Sequence, residues 1–168
     1  MCHTLCRYCT QGTITNCRID LSVPIFHILI VEDFEPFRRF VRQVLEPRAE
    51  FRVVGEAIDG LEAVRKAQEL KPDLILLDSG LPKLNGFAAA EQIRVLVPDA
   101  ILLFISLESS PVAVREALRL GALGYVHKMR AQLELLPAIE SVLAGKQFVS
   151  SGLEISENKA QNQPEVQF

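Results

Sequence analysis

Four of the apolar segments in this chain are each followed by polar residues that could do chemistry together. The carboxylates of this set belong to Glu32, Asp33 and Asp78, the hydroxyl to Ser106 and the amine to Lys128. Carboxylates held close together repel one another, which raises their pKa values. A divalent cation relieves that repulsion, and hard oxygen ligands that leave room for a phosphate oxygen suit Mg²⁺. The residues therefore predict a magnesium site with an amine and a hydroxyl beside it.

This combination would support the transfer of a phosphoryl group to a carboxylate, because an aspartate can act as the nucleophile beside a metal ion. Lys128 can neutralise an anion, and Ser106 can donate a hydrogen bond to a phosphate oxygen. The plainer interpretation is that a carboxylate after a strand caps a helix and that a lone lysine faces solvent. That interpretation suits any single residue of the set better than it suits four strand ends that share one chemistry.

The convergence of these residues depends on an alternation of strands and helices. Apolar segments with strand character alternate with segments of helical spacing. The strand segments are Ile25–Val31, Phe51–Ala57, Leu74–Leu77, Ile101–Ile105 and Leu123–Val126, and the helical ones are Phe37–Leu45, Leu61–Leu70, Phe87–Val97, Val112–Leu120 and Leu133–Leu143. Strict alternation predicts an α/β fold with a parallel sheet, helices on both faces and all carboxyl strand ends at one edge. Arg52 and Glu56 place the second strand at an edge of the sheet, and His27 and His127 are interpreted as packed histidines within strands.

Capping residues support the predicted helices. Asp59 begins a capping-box pattern, Asn85 can cap the next helix, and Ser110 precedes a proline at the first helical position. Gly121 and Gly145 stand where C-terminal glycines belong. The helix boundaries are therefore predicted independently of the apolar periodicity.

The composition is that of a globular chain. It has 168 residues, 49% of them hydrophobic, and 18 basic against 21 acidic residues give a net charge of −3. This apolar fraction excludes a disordered chain, and the lack of a basic run argues against a nucleic-acid groove. The sequence shows neither a secretory signal pattern nor the roughly 20 apolar residues that a membrane helix needs. We therefore expect a soluble, cytoplasmic protein with one domain.

The two ends of the chain differ from its body. Residues 1–24 and 151–168 are polar and lack apolar periodicity, so both are predicted to be disordered. The first of these segments contains all four cysteines, Cys2, Cys6, Cys9 and Cys17. The spacing of the first three resembles the iron–sulfur loop of radical SAM enzymes, but a large barrel should follow that loop and a different pattern follows here. Zinc binding with His3 stays open, and an accidental cluster is the favoured interpretation.

Residues 25–150 resemble the receiver domain of two-component response regulators. The segment Asp78–Gly86, with the sequence DSGLPKLNG, fits the family pattern D-x-x-[ML]-P-x-[ML]-[DN]-G. The remaining motif positions are matched by Glu32 and Asp33 as the acidic pair, Ser106 as the hydroxyl, Tyr125 as the switch aromatic and Lys128 as the lysine. The run GALGY at 121–125 and AGK at 144–146 are most similar to receivers of the NarL type. The resemblance implies a flavodoxin-like, doubly wound (βα)5 sandwich of three layers with sheet order 2-1-3-4-5.

The resemblance also implies a role for each site residue. Asp78 would accept a phosphoryl group from a sensor histidine kinase or a phosphotransfer protein, and Lys128 and Ser106 would hold the phosphoryl oxygens. The implied Mg²⁺ ligands are Asp33, Asp78, the backbone carbonyl of Gly80 and, through a water molecule, Glu32. The chain would then be a self-phosphorylating signalling module that dephosphorylates itself slowly, and not an enzyme with an external substrate.

A switch of the interaction surface is implied as well. Movement of Ser106 toward the phosphoryl group would let Tyr125 turn inward and change the face formed by Pro111–Leu120, Tyr125 and Leu133–Leu143. NarL-type regulators usually continue into a helix-turn-helix domain, and only a polar tail remains here. We therefore expect a stand-alone receiver that does not bind DNA directly and that signals through a protein partner or a homodimer. A truncated transcription regulator is the alternative.

Four residues depart from the usual family pattern. Leu107 stands where alanine or glycine is usual, Glu108 adds a negative charge, Met129 replaces a frequent proline, and Glu32 is longer than the commoner aspartate. We expect Leu107 to crowd the acyl phosphate and to slow both its formation and its hydrolysis. Leu107 and Glu108 also motivate a second hypothesis, an interaction module that no longer needs phosphate. A phosphoaspartate hydrolase ranks last, because it would need a second aspartate where Gly80 stands.

Overall fold

The computed structural model describes residues 24–153 of the chain. The predicted N-terminal extension, with its four cysteines and His3, lies outside this range apart from Pro24. The predicted C-terminal tail, residues 151–168, lies outside it apart from residues 151–153. Within residues 24–153, none of the helices combines the length and the apolar character needed to cross a membrane.

The described residues contain one sheet of six parallel strands. They are β1 (Phe26–Val31), β2 (Phe51–Ala57), β3 (Leu74–Leu77), β4 (Ile101–Ser106), β5 (Gly124–His127) and β6 (Phe148–Val149). Their order across the sheet is β2-β1-β3-β4-β5-β6, and each neighbouring pair is parallel. The predicted order of the first five strands is confirmed, and β2 lies at an edge as Arg52 and Glu56 indicated. The short sixth strand was not predicted.

Helices cover both faces of this sheet. They are α1 (Glu35–Leu45), α2 (Gly60–Leu70), α3 (Gly86–Leu96), α4 (Pro111–Arg119) and α5 (Ala131–Leu143), and a 3₁₀ turn (Lys128–Arg130) precedes α5. Side chains of α1 and α5 form one apolar layer with Ile28 and Ile30 of β1. Side chains of α2, α3 and α4 form the other with Leu29 and Val31, because successive residues of a strand point to opposite faces. The predicted three-layer, flavodoxin-like fold is confirmed.

Side-chain caps fix where three of the helices begin. Asp59, Asn85 and Ser110 each accept a hydrogen bond from the backbone N–H three residues later, at 2.8, 2.9 and 3.2 Å. Gly121 and Gly145 follow α4 and α5 with φ angles of 84° and 73°, in the left-handed region that glycine adopts without strain. The predicted caps are therefore observed, and those of α3 and α4 set the length of the loops that follow β3 and β4.

His27 does not have the packed position expected of it. Its side chain is about half exposed, and Nδ1 lies 3.3 Å from Oδ2 of Asp73. The first residues of β1 are only partly covered, whereas the last four are buried, so the strand begins beyond the edge of the helical layers. His127 is half-buried, as its place in β5 indicated, and its Nε2 lies 3.1 Å from the carbonyl oxygen of Leu107.

β6 lies along the outer edge of β5, and α5 fixes the residues that follow it. The Ser150 N–H donates to the carbonyl of Tyr125 at 2.9 Å, and the Ser150 hydroxyl accepts from the His127 N–H at 2.9 Å. The same hydroxyl and that of Ser151 donate to the carboxylate of Glu134 on α5. The surface formed by α4, β5 and α5 therefore includes β6, which the sequence interpretation of this face had not foreseen.

At neutral pH, we expect the free energy of unfolding of Glu134→Gln to be about 1–2 kcal/mol lower than that of the wild type. The reason is that Ser150 and Ser151 then no longer donate hydrogen bonds to a charged carboxylate. Burial alone would raise the pKa of Glu134, but hydrogen bonds from Ser150, Ser151 and Arg130 hold it at about 2. A carboxyl group whose pKa is lowered in the folded state contributes its full stabilisation at pH values above its ordinary pKa of 4.5. This contribution is lost as the pH falls toward 2.

Urea unfolding at a series of pH values tests this expectation. The difference between wild type and Glu134→Gln should be constant near neutrality and should shrink below about pH 4. Glu91→Gln, at an exposed position on α3, is the matched control. A difference that stays the same down to pH 2 would contradict the assignment of this stability to the Glu134 charge.

Candidate functional site

A pocket of about 420 Å³ opens at the carboxyl end of the sheet. Its walls come from the loops that follow β1, β3, β4 and β5, since the carboxyl ends of parallel strands meet at one edge. The lining contains every predicted site residue except Tyr125, and it adds Phe34, Phe37, Ser79, Leu107 and Met129. The structure therefore brings together the side chains that the strand ends placed at one edge.

Three carboxylates form the acidic part of this pocket. One oxygen from each of Glu32, Asp33 and Asp78 lies within 4.8 Å of the other two. Glu32 and Asp78 are buried, whereas Asp33 is exposed at the rim. Burial raises the pKa of Glu32, and the charge of Asp78 adds to this effect although Lys128 opposes it. The cluster is therefore a set of hard oxygen donors that repel one another.

Lys128 provides the positive charge of the pocket. Its Nζ lies 2.7 Å from Oε2 of Glu32 and 2.8 Å from Oδ2 of Asp78. Burial would lower the pKa of Lys128, but hydrogen bonds to both carboxylates outweigh burial and raise it. The ring of Phe37 lies 5.0 Å from the same nitrogen, which is within cation–π range. The ammonium group is therefore charged and held beside Asp78.

The hydroxyl of Ser106 is fixed at the side of the pocket. Its Oγ lies 2.5 Å from Oγ of Ser79 and accepts a hydrogen bond from the Glu108 N–H at 2.9 Å. Ser106 is the last residue of β4, where the sequence had placed it just after the strand. Asp78, directly after β3, and Ser106, at the end of the neighbouring strand β4, thus face the same pocket.

Tyr125 lies behind the pocket, in the apolar core. Its side chain is fully buried, and its ring stacks on that of Phe104 with centroids 6.2 Å apart. The hydroxyl donates to the carbonyl of Glu108 at 2.7 Å. Burial raises the pKa of this phenol. Tyr125 is thus linked to the loop after β4 that also contacts Ser106.

The loop after Asp78 has little freedom, for reasons that its sequence explains. The Gly86 N–H donates to the carbonyl of Ser79 at 2.9 Å, and Asn85 caps α3. A Cβ atom at Gly86 would lie 2.0 Å from the carbonyl oxygen of Asp78, so only glycine fits there. The Gly80 N–H donates to Oδ1 of Asp78 at 3.2 Å. The motif therefore fixes the backbone that presents the Asp78 carboxylate.

Several residues around the site, Phe34 among them, were not identified from the sequence. Phe37 was assigned to the apolar face of the first helix, and only the fold places its ring beside Lys128. Ser79 occupies a motif position that accepts any residue, so its hydroxyl carried no signal. Arg38 donates to the carbonyl of Glu32 at 2.7 Å and pairs with Glu56 at 3.0 Å, which ties the loop after β1 to β2.

The family model of the response regulator receiver domain matches residues 28–140 of the chain. The chain belongs to this family. Receiver domains take part in two-component signal transduction through phosphorylation, and they bind Mg²⁺ at an acidic pocket. In this receiver, the corresponding pocket contains the cluster of Glu32, Asp33 and Asp78.

Two solved receivers are similar over most of the chain. A LuxR-family two-component response regulator from Aurantimonas sp. SI85-9A1 is 33% identical with a TM-score of 0.76, over 82% of this chain and 99% of that one. The receiver domain of the putative response regulator NarL from Mycobacterium tuberculosis is 29% identical with a TM-score of 0.69, over 73% and 99% of the two chains. These similarities confirm the NarL-type resemblance of the receiver.

The curated relatives are longer than this receiver. A protein-glutamate methylesterase/protein-glutamine glutaminase from Thermotoga maritima is 37% identical over 112 residues, which cover 66% of this chain and 33% of that protein. A putative transcriptional regulator from Pseudomonas aeruginosa is 37% identical over 118 residues, 70% of this chain and 56% of that protein. The receiver thus spans about a third to about a half of these relatives. Since a receiver domain is not itself catalytic, the esterase name of the first relative assigns no activity to this chain.

Proposed function

We propose that residues 25–150 form a phosphorylation-switched receiver in which Asp78 accepts a phosphoryl group from a sensor histidine kinase or a phosphotransfer protein. The observation that carries this proposal is the position of the Asp78 carboxylate. It lies in the pocket with the Lys128 ammonium at 2.8 Å and two further carboxylates beside it. Such a site can bring a nucleophilic oxygen, a cation and a phosphoryl group together.

Each residue then has a defined part in the transfer. An oxygen of Asp78 attacks the phosphorus of a phosphohistidine, the P–N bond breaks, and its electron pair passes to the imidazole of the donor. Lys128 neutralises negative charge on the phosphoryl oxygens, and the Ser106 hydroxyl donates to one of them. The added phosphoryl group carries about two negative charges, which bias the Ser106 and Tyr125 region toward a second arrangement. The affected surface is the face of α4, β5, α5 and β6.

The donor set fits Mg²⁺, which prefers hard oxygen ligands and keeps part of its hydration shell. We propose that Asp33, Asp78 and the carbonyl of Gly80 hold the ion and that Glu32 contacts it through water. When bound, the ion supplies positive charge that offsets the repulsion between the carboxylates and the incoming phosphoryl oxygens. Glu32 also keeps Lys128 in place through its own ion pair, at 2.7 Å.

Phosphoramidate provides a direct test, because it donates a phosphoryl group without a kinase. Intact mass spectrometry should show one added phosphoryl group in the presence of Mg²⁺ and none after EDTA treatment. Borohydride reduction of the acyl phosphate, followed by peptide mapping, should place the modification at residue 78. Lack of any adduct on the folded wild-type protein in Mg²⁺ would refute the proposal.

The Leu107→Ala variant is expected to gain and lose the phosphoryl group faster than the wild type. Leu107 is 64% exposed and lines the pocket beside Ser106, so its side chain restricts access to Asp78. Lowering the activation free energy by about 1 kcal/mol would speed both the formation and the hydrolysis of the acyl phosphate about fivefold. Rates of adduct formation and decay measure this effect, with the exposed Leu133→Ala on α5 as the matched control. Unchanged rates would show that Leu107 does not crowd the acyl phosphate.

A second candidate function is a constitutive interaction module, and the position of Tyr125 favours it. Tyr125 is already buried, with its hydroxyl on the carbonyl of Glu108, which is the inward placement that the resemblance assigns to the phosphorylated receiver. Addition of beryllofluoride and Mg²⁺, followed by amide NMR, separates the two functions. Shifts confined to the pocket favour the constitutive module, whereas shifts that extend to α4 and β6 favour the switch.

A further inference from the structure

Ser79 and Ser106 form a buried pair of hydroxyls at the side of the pocket. Their Oγ atoms are 2.5 Å apart, and the two residues are 9% and 2% exposed. Ser79 directly follows Asp78 at the end of β3, and Ser106 ends β4, so the pairing of neighbouring strands brings them together. The Ser106 oxygen also accepts the Glu108 N–H at 2.9 Å. Ser106 therefore has two fixed partners that do not depend on a phosphoryl group.

The pair can order its protons in two ways, because a hydroxyl has one donor and two lone pairs. In one arrangement the Ser106 hydroxyl donates its hydrogen bond to Ser79, so it cannot donate to an acceptor in the pocket. In the other, Ser79 donates to Ser106. The bonds from Ser79 and from the Glu108 N–H then occupy both lone pairs of Ser106 and leave its proton free for an acceptor in the pocket. Exchange between the two needs only rotation of O–H bonds.

We propose that Ser79 is a positioning residue that holds the Ser106 hydroxyl in the place from which it donates to a phosphoryl group on Asp78. The inference rests on the proposed function of Asp78. Before phosphorylation, Ser79 accepts a hydrogen bond from the Ser106 hydroxyl. Once Ser106 donates its hydrogen bond to a phosphoryl oxygen instead, Ser79 donates to Ser106. A hydroxyl that is held by two hydrogen bonds samples fewer rotamers, so less of the binding free energy is spent on restricting it when a phosphoryl group binds.

The alternative role for Ser79 is packing, since the residue is only 9% exposed. The two roles differ in which substitutions they tolerate. Ser79→Ala removes the hydroxyl and changes the volume little, whereas Ser79→Thr keeps the hydroxyl and adds a methyl group. A positioning role predicts that threonine restores function, and a packing role predicts that alanine is the better substitute.

Beryllofluoride with Mg²⁺ is the probe, because it mimics a phosphoryl group on an aspartate. NMR of the full chain follows beryllofluoride binding through the amide signal of Glu108, because the Glu108 N–H donates a hydrogen bond to the Ser106 hydroxyl. Ser79→Ala should bind beryllofluoride about 3- to 10-fold more weakly than the wild type, which is the net value of one hydrogen bond. Ser79→Thr should restore most of this loss, and Ser109→Ala, an exposed hydroxyl in the same loop, should bind as the wild type does.

A double-mutant cycle makes the test specific to the pair. Ser79→Ala should have no further effect on beryllofluoride affinity in a Ser106→Ala background, because the hydroxyl that it positions is gone. The same loss in both backgrounds, or wild-type affinity in Ser79→Ala, overturns the inference.

Failure of the proposed function itself gives a different result. A wild-type protein that neither binds beryllofluoride nor accepts a phosphoryl group would refute the assignment of Asp78. The Glu108 amide signal of the free protein would then still decide the role of Ser79. It moves in Ser79→Ala if Ser79 holds Ser106, and it stays in place if Ser79 only fills space.

Discussion

The Asp78→Asn variant is expected to accept no detectable phosphoryl group from phosphoramidate, while the protein stays folded. An amide nitrogen cannot replace the carboxylate oxygen that forms the acyl phosphate, and one of the proposed metal ligands loses its charge. The fold should tolerate the change, because asparagine has nearly the same shape and Lys128 keeps its ion pair with Glu32 at 2.7 Å. We expect the free energy of unfolding to change by no more than about 1 kcal/mol, because the charge lost from Asp78 also relieves its repulsion with Glu32.

Intact mass spectrometry and urea unfolding measure the two parts of this prediction. Asp99→Asn is the matched control, because Asp99 is exposed and lies after α3, outside the pocket. This control should be phosphorylated at the wild-type rate. An adduct that persists on folded Asp78→Asn would show that another residue is the acceptor, and the proposed chemistry of the pocket would be wrong.

The Lys128→Met variant should show the second large effect, on both stability and phosphorylation. The Lys128 side chain is 11% exposed and lies between Glu32 and Asp78, with nitrogen–oxygen distances of 2.7 and 2.8 Å. Without the ammonium group, two buried carboxylates face each other, and breaking a buried ion pair in this way costs about 3 kcal/mol. Phosphorylation should slow by about 10²-fold, the effect of losing one group that stabilises developing negative charge.

The stability deficit of Lys128→Met depends on pH in a defined direction. In the wild type, burial raises the pKa of Glu32 and Lys128 opposes this, so removal of the lysine raises the pKa further. A carboxyl group whose pKa is raised in the folded state stabilises the fold at low pH. This contribution to the free energy of unfolding is lost as the pH rises through the raised pKa. The deficit should therefore be smallest below the ordinary value of 4.5 and should grow toward neutrality. Mg²⁺ should reduce it, because the ion takes over part of the missing positive charge.

Urea unfolding across this pH range, with and without Mg²⁺, tests the Lys128 prediction. Lys146→Met is the matched control, because Lys146 is exposed after α5. A deficit that does not vary with pH would mean that Lys128 stabilises the fold through packing against Phe37 and not through the carboxylates. The phosphorylation rate of the same variant then shows whether the amine acts in the transfer.

The sequence alone determined the layered architecture of this receiver and the edge at which its polar residues meet. Alternation of apolar segments and helical spacing specifies a parallel sheet, and parallel strands necessarily present their carboxyl ends together. Local hydrogen bonds could also be predicted, because Asp59, Asn85 and Ser110 cap helices through backbone groups only three residues away. For this reason Glu32, Asp33, Asp78, Ser106 and Lys128 could be assigned to one pocket before any coordinates.

The tertiary structure alone decided which of those side chains contact one another and what surrounds them. The hydroxyl pair of Ser79 and Ser106, the ring of Phe37 beside Lys128, and β6 along β5 each join residues that are distant in the chain. Such contacts depend on the exact separation of strands and on side-chain rotamers, which periodicity and capping patterns do not encode. Burial also differs between Glu32 and Asp33, and this difference depends on how the loop that follows β1 folds.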